Sequence, residues 1–335
     1  MEDEQRQGYS PKRSRKWLYI GIAIAVVAVL IVIIVPAAVV TTNKKRQYQS
    51  DPSSSSSSSP PYAKAQSKYS NLTRVKQLNE LANKSRIFVL GDVHGCVNEL
   101  AAMVDLLKYD QDNDAMILAG DLTSKGYDNP GVIRLAKAKN MYCVRGNHDD
   151  YVVRFKTFEN ENGAQRMGPP KAVLPEGNVA DPLKFKDEHA DIARNLTAED
   201  YDYLVQCPMI IDLPFLNARV VHGGLDPEVT NYVDNDPYTV FSIRDIKDGV
   251  PTSDNKKGEH WTQSYNNVQK NNTPPVKVYY GHDASRGLDL ENVTFGLDSG
   301  CVYGGHLTAI DIWTNNYTQL KCNSFASLPN SSLIK

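Results

Sequence analysis

The chain has 335 residues, 41% of them hydrophobic and 23% charged, with a formal net charge of −2. This length and apolar share allow a substantial core, and the near-neutral balance removes any overall basic bias toward nucleic acid. One globular domain of roughly 250 residues with appendages is the simplest organisation.

Residues 1–16 read as a cytosolic tail carrying Arg6, Lys12, Arg13, Arg15 and Lys16. Trp17 to Val40 is an uncharged apolar run of 24 residues, long enough to span a bilayer as a helix. Lys44, Lys45 and Arg46 follow it, so the positive-inside bias toward the N-terminal side is modest. A single-pass type II signal anchor is predicted, with the rest of the chain in a lumen or outside the cell. The competing reading is a cleaved signal peptide, against which the run is long and lacks a short apolar region with a clean small-residue cleavage site. Residues 41–69 form a linker, in which Ser53 to Ser59 and Pro60-Pro61 cannot bury enough apolar surface to order themselves. The folded domain is placed at residues 70–335.

Leu72, Val75, Leu78 and Leu81 fall at helical spacing and predict an amphipathic lead-in helix. Ile87 to Leu90, Ala115 to Ala119 and Met141 to Val144 are short apolar runs that predict buried strands. Between them, Leu100, Met103, Val104 and Leu107, then Val132, Ile133 and Leu135, predict crossover helices and hence parallel pairing. Phe158 to Asp191 is polar and interrupted by Gly168-Pro169-Pro170; it reads as a cap over the site or as a disordered surface loop. Thr197 to Leu204 begins with a Thr cap and an acidic first turn, predicting a short helix. Met209 to Leu213 and Arg219 to His222 predict a second sheet, joined by Lys277 to Tyr280, Val293 to Asp298, Leu307 to Trp313 and Tyr317 to Leu320. The fold class is therefore α/β: two packed mixed β-sheets flanked by helices, preceded by one transmembrane helix.

Chemistry-bearing residues gather at the ends of these strands. Gly91-Asp92-Val93-His94-Gly95, Gly120-Asp121 and Gly146-Asn147-His148-Asp149 follow the first three, and His222 and His282 follow two of the others. Carboxylates with neutral imidazoles suit divalent ions, and a carboxylate between two ions bridges a two-metal site. So many buried polar groups would otherwise need other partners.

The run from Gly91-Asp92-Val93-His94-Gly95 through Gly120-Asp121-Leu122-Thr123-Ser124-Lys125-Gly126, Arg145-Gly146-Asn147-His148-Asp149, His222-Gly223-Gly224 and Gly281-His282-Asp283 resembles the metallophosphoesterase pattern of phosphoprotein phosphatases and bacterial diadenosine tetraphosphatases. The tail Gly296-Leu297-Asp298-Ser299-Gly300 is similar to the diadenosine-tetraphosphatase-like branch, and with its anchor the chain most resembles the fungal vacuolar zinc-dependent endopolyphosphatases. That resemblance implies two divalent ions, zinc first and manganese, cobalt or iron as alternatives. Asp92, His94 and Asp121 would hold one, and Asp121 would bridge to a second held by Asn147, His222 and His282. A water or hydroxide between the ions would attack phosphorus in line, with His148 as the general acid.

Two departures from the phosphoprotein-phosphatase pattern matter. Ser124 stands where an aspartate partners the general-acid histidine, and Lys125 stands where an arginine binds phosphate. Lysine lacks the bidentate fork, which argues against protein dephosphorylation; a solvated surface lysine is the plain alternative. Asp149 replaces the usual glutamate, leaving its role open. Substrate contacts are predicted at Lys125, Asn147 and Arg286. Arg145, Arg244, Lys256 and Lys257 are further cations that could line a polyanion path, while Tyr201, Tyr203, Tyr279 and Tyr280 read as packing. No segment has the aromatic interleaving of a nucleic-acid groove.

The five cysteines contain no Cys-x-x-Cys pair. Cys143 reads as a core residue, Cys96 as packing or redox-sensitive, and a Cys301 to Cys322 disulfide is one option in an oxidising lumen. Asn71, Asn83, Asn195, Asn271, Asn292, Asn316 and Asn330 begin glycosylation sequons, all C-terminal to the apolar run, with Asn271 weakened by Pro274. The expected protein is a vacuole-membrane endopolyphosphatase acting on inorganic polyphosphate. Hydrolysis of dinucleoside polyphosphates or nucleotide caps, protein dephosphorylation, and an inactive lumenal scaffold follow in that order.

Overall fold

A computed structural model describes residues 65–327. The predicted tail, membrane span and most of the linker (residues 1–64) and the last sequon, Asn330, lie outside the described residues. Among the described residues no helix is long and apolar enough to cross a membrane.

Strand β1 (Val75–Gln77) comes first, where a lead-in helix was expected. It pairs in parallel with residues 210–212, and a 3-10 turn, Asn79–Asn83, follows it. The reason lies in where the four apolar side chains go. Leu78 and Leu81 are buried between the two large sheets, whereas Leu72 and Val75 pack against a separate cluster on the far side of the second sheet. A helix would have put all four on one face.

After β2 (Arg86–Leu90) come α1 (Val97–Leu106), β3 (Asp114–Leu118), α2 (Asn129–Ala138), β4 (Tyr142–Cys143) and α3 (Asn147–Asn162). Strands β2, β3 and β4 pair in parallel, as the alternation with helices predicts. Both faces of β2 are covered: Ile87 and Val89 point into the inter-sheet core, while Phe88 and Leu90 join the core under the helices. Helix α2 starts at an Asp128 cap, whose carboxylate accepts from the Gly131 amide, with Pro130 in the first turn.

The polar middle stretch is an ordered cap, not a disordered loop. Leu174, Leu183 and Phe185 enter the helix-side core, and Arg154 on α3 reaches across to Glu176 and Asp181. Helix α4 (Glu188–Asn195) then packs on α3, and α5 (Ala198–Gln206) begins at the predicted Thr197 cap, closed by a reciprocal bond with Asp200.

The second sheet takes β5 (Ile210–Leu213) and β6 (Ala218–Val220), and residues 237–242 form α6 (Pro237–Ser242). A small sheet of β7 (Asp245–Lys247), β8 (Val250–Thr252) and β9 (Glu259–His260) leads into α7 (Trp261–Gln269). Then come β10 (Lys277–Tyr280), β11 (Asp289–Leu290), β12 (Thr294–Gly296), β13 (His306–Asp311) and β14 (Asn316–Lys321). The second sheet runs β1-β5-β6-β10-β12-β11, and the first runs β14-β13-β2-β3-β4. The expectation that residues 307–320 join the second sheet is thus corrected. Strand β13 lies antiparallel beside β2, with Leu307 and Ala309 facing the helix-side core and Ile310 the inter-sheet core.

Disulfides join Cys143 to Cys207 and Cys301 to Cys322, leaving Cys96 free and buried. Cys143 is therefore a cross-link between the end of β4 and the end of α5, not only a packed thiol. No Cys-x-x-Cys spacing announced it.

Candidate metal centre

The carboxyl ends of β2, β3 and β4 are stitched together by the backbone. The amides of Val93 and His94 both donate to the Asp121 carbonyl, and that of Gly95 to the Leu122 carbonyl. Close approach at two glycines makes this possible: a Cβ on Gly146 would stand 2.2 Å from Asp121 Oδ1, and one on Gly281 would stand 2.1 Å from Asp92 Oδ1. His94, Asp121 and His282 take φ values of 46°, 48° and 75°. Left-handed backbone at non-glycine residues costs about 1–3 kcal/mol each and persists where the surroundings enforce it.

These turns bring Asp92, His94, Asp121, Asn147, His148, His222 and His282 into one cluster. Asp121 lies at its middle. Its Oδ2 is 3.5 Å from His94 Nε2, and its Oδ1 is 3.4 Å from His222 Nε2, which in turn is 3.1 Å from Asn147 Oδ1. The two oxygens of one carboxylate thus face two different donor groups. Asp92 reaches both sides as well, 3.8 Å from His94 and accepting from the His282 amide.

Hydrogen bonding fixes which imidazole nitrogen is free. His94 Nδ1 is 2.9 Å from the Thr123 carbonyl and His222 Nδ1 is 2.8 Å from the Ala119 carbonyl; a carbonyl only accepts, so both Nδ1 atoms carry protons. Their Nε2 atoms are left toward Asp121. His282 is held the other way round, with Nε2 facing the Ser242 carbonyl at 3.2 Å and Nδ1 free. Backbone-anchored imidazoles of this kind are how proteins preset metal ligands.

The same contacts set the electrostatics of the cluster. Burial pushes Asp121 up, but the His222 and His148 imidazoles overcome this and hold it well below the usual carboxylate range. Burial and then Asp298 push Asp92 well above that range. Burial lowers His222, yet Asp121 beside it wins and raises it to about 9, whereas burial and then Lys125 take His94 down to about 3. Two sets of oxygen and nitrogen donors around a shared carboxylate fit a pair of divalent ions. Lys125 Nζ is 3.0 Å from His94 Nε2, on a lone pair such an ion would use, but its flexible stem also reaches the Tyr303 ring.

Asp149, whose role the sequence left open, has a definite one. Its carboxylate accepts from the Leu122, Thr123 and Gly146 amides and the Thr123 hydroxyl, tying the turn after β3 to the start of α3. The amide of His148, in the first turn of α3, donates to Asp121 Oδ1 at 2.9 Å, so the positive end of that helix faces the cluster.

The cluster opens into a cleft of about 570 Å³ lined by Lys125, Arg244, Lys256, Tyr151, Tyr238 and Tyr303. Three predicted cations, Arg286, Arg145 and Lys257, are not there. Arg286 is paired with Asp283 and Asp245, and Arg145 is buried, donating to the carbonyls of Ser70, Leu204 and Val205. Arg244 takes the place foreseen for Arg286, with Nη2 3.3 Å from the His282 carbonyl. Asp298 also lines the cleft. It follows β12 just as Asp121 follows β3, so the signal that marked the other donors was present there too.

An α/β sandwich whose strand ends converge on a carboxylate flanked by two donor groups is the arrangement of a metallophosphoesterase. The calcineurin-like phosphoesterase family profile matches residues 85–307, and the chain belongs to that family. It is similar to the zinc-dependent endopolyphosphatase of Saccharomyces cerevisiae, 29% identical over 264 residues that cover 72% of this chain and 80% of that protein. It is also similar to the asymmetrical bis(5'-nucleosyl)-tetraphosphatase of Oceanobacillus iheyensis, 25% identical over 67% of this chain and 87% of the relative. Among solved structures, a candidate diadenosine tetraphosphatase superposes with a TM-score of 0.60 at 27% identity, over 75% of this chain and 98% of that one.

Proposed function

We propose that the domain hydrolyses phosphoanhydride bonds within inorganic polyphosphate. The observation that carries this reading is the cleft itself, where Lys125, Arg244 and Lys256 face the carboxylate-imidazole cluster, a lining suited to an extended polyanion. The similarity to the yeast endopolyphosphatase supports the same substrate.

Asp92, His94 and Asp121 would hold one ion, and Asp121, Asn147, His222 and His282 the other. Zinc is the preferred metal, on the similarity to a zinc-dependent relative and on the three imidazoles among the donors. When bound, the pair supplies a water acidic enough to attack phosphorus and charge to stabilise the equatorial oxygens. The chain supplies the rest. His148, with Nε2 3.9 Å from Asp121 Oδ2, delivers a proton to the departing oxygen, and Arg244, Lys125 and Asn147 orient the phosphoryl groups. Arg286 would support Arg244 through their shared partner Asp283 and not contact phosphate itself.

A second reading, hydrolysis of dinucleoside polyphosphates, draws support from the aromatic side chains Tyr151, Tyr238 and Tyr303 that line the cleft. Offering long polyphosphate, diadenosine tetraphosphate and a phosphopeptide to the zinc-, cobalt-, manganese- or magnesium-loaded protein separates the readings. Shortening of polyphosphate through intermediate lengths, absent in Asp121→Asn, supports internal cleavage. Preferential turnover of the dinucleotide moves the protein to nucleotide chemistry, and silence on all three overturns both.

We also infer a lumenal domain on a type II anchor in the vacuole membrane. Two disulfides suit an oxidising compartment, and all six sequon asparagines among the described residues are exposed. An endoglycosidase-sensitive mass together with protease protection in sealed vesicles is the expected result; an unglycosylated, protease-accessible domain would contradict it.

A further inference from the structure

The position that carries the partner of the general-acid histidine in phosphoprotein phosphatases is a serine here, Ser124, and a serine brings no charge. The charge comes from elsewhere. Ser124 Oγ lies 3.0 Å from His148 Nδ1 and donates to Glu188 Oε1 at 2.8 Å, and Glu188 Oε2 accepts from the Lys125 amide at 3.3 Å. The adjacent His189 places Nε2 2.7 Å from the same His148 Nδ1. Glu188 and His189 open helix α4, which the ordered cap delivers across 64 residues of sequence from Ser124 to Glu188.

We propose that Glu188, acting through Ser124, and His189 are positioning residues for His148. This rests on the assignment of His148 as proton donor. Because Ser124 Oγ donates to Glu188, it can only accept from His148, so the ring proton sits on Nδ1, where Ser124 Oγ and His189 Nε2 are the two acceptors within reach. The hydroxyl, already committed to Glu188 as a donor, turns its lone pairs to His148, so the carboxylate orients the ring through one intervening oxygen. That fixes the ring with Nε2 toward Asp121 and the cleft. The same carboxylate pins the left-handed turn at Ser124 and Lys125, whose φ values are 82° and 64°. The cap thereby completes the catalytic constellation.

The test uses the full-length metal-loaded protein with two readouts. The first is turnover of phenyl phosphate, a poor leaving group, against 4-nitrophenyl phosphate, a good one. Glu188→Gln is expected to lower kcat on phenyl phosphate at least about tenfold, with a smaller loss on the nitrophenyl ester and little change in KM. Adding Ser124→Asp, which returns a direct carboxylate, should restore most of it. The second readout needs no turnover: the downfield imidazole N–H proton of His148, assigned by its loss in His148→Asn, should shift in Glu188→Gln and return with Ser124→Asp. An unmoved resonance with unchanged phenyl phosphate kcat overturns the proposal, as does a change confined to KM, which would limit Glu188 to holding the Lys125 turn. Hydrolysis of the aryl esters without any action on polyphosphate would sink the substrate reading alone.

Discussion

Two buried clusters of charge lie along the first half of helix α3, and they are built to different rules. Beneath the cap, Arg154 is 2.7 Å from Glu176, 3.0 Å from Asp181 and 3.6 Å from Asp150, and buried Arg145 adds a second guanidinium at 3.5 Å from Asp150. Every carboxylate there has a protein cation. At the first turn of α3, Asp92, Asp121 and Asp298 are also buried but face imidazoles and a single lysine. The first cluster is neutralised by the chain itself and holds the cap on the sheet. The second sets carboxylates against imidazoles in place of guanidinium groups, a mixed oxygen and nitrogen donor set suited to divalent ions.

The comparison is broken most severely at Asp121. Asp121→Asn should lower kcat by a thousandfold or more, about 4 kcal/mol of transition-state stabilisation, while the urea midpoint of the ion-free protein changes little. Arg154→Ala should do the reverse. Removing one partner from a buried ionic network costs about 3–5 kcal/mol, read as a fall in urea midpoint or roughly 10 °C in Tm. Unchanged stability in Arg154→Ala would remove the distinction between the two clusters.

Arg244 and Arg286 sharpen the same contrast at smaller scale, because both touch Asp283 but only Arg244 lines the cleft. Arg244→Ala should raise KM for polyphosphate about tenfold, roughly 1.4 kcal/mol, whereas Arg286→Ala should act mainly on stability by exposing Asp245 and Asp283. Equal KM effects would return Arg286 to the substrate.

The smallest expected effect is at His260. Burial and then Arg286 hold its pKa below the ordinary 6.5. The unfolded chain therefore binds the proton more readily in the window below 6.5, so this stabilisation is complete above 6.5 and is lost as pH falls through the folded value. In ion-free protein, His260→Gln should flatten the decline of Tm with acidification by on the order of 2 °C. An identical slope would show that His260 is not protonated differently in the two states.

The strand-end donors were legible because each follows a short apolar run and the turn chemistry is local: Asp92, Asp121, Asn147, His222 and His282 need only their own few residues to be recognised. What depends on distant partners was not. Leu72, Val75, Leu78 and Leu81 have helical spacing, but the sheet divides them between two cores. Arg286 and Arg244 look alike in sequence, and only the placement of Asp245 and Asp283 tells the paired cation from the one in the cleft. The cap was legible only as one of two options, since its order comes from Arg154, more than twenty residues from Asp181. Asp149 carries no periodic signal, and its four bonds exist only once two strand ends meet.

The most direct test of the central claim is the number of ions bound per chain, measured by elemental analysis of the purified full-length protein after zinc loading and gel filtration, beside Asp121→Asn. Two zinc ions in the wild type, with one or none in the variant, are predicted, because one carboxylate faces both donor groups. A folded wild type that retains no zinc, or a variant that keeps both ions, would contradict the assignment of Asp121 as the bridge of a two-metal centre.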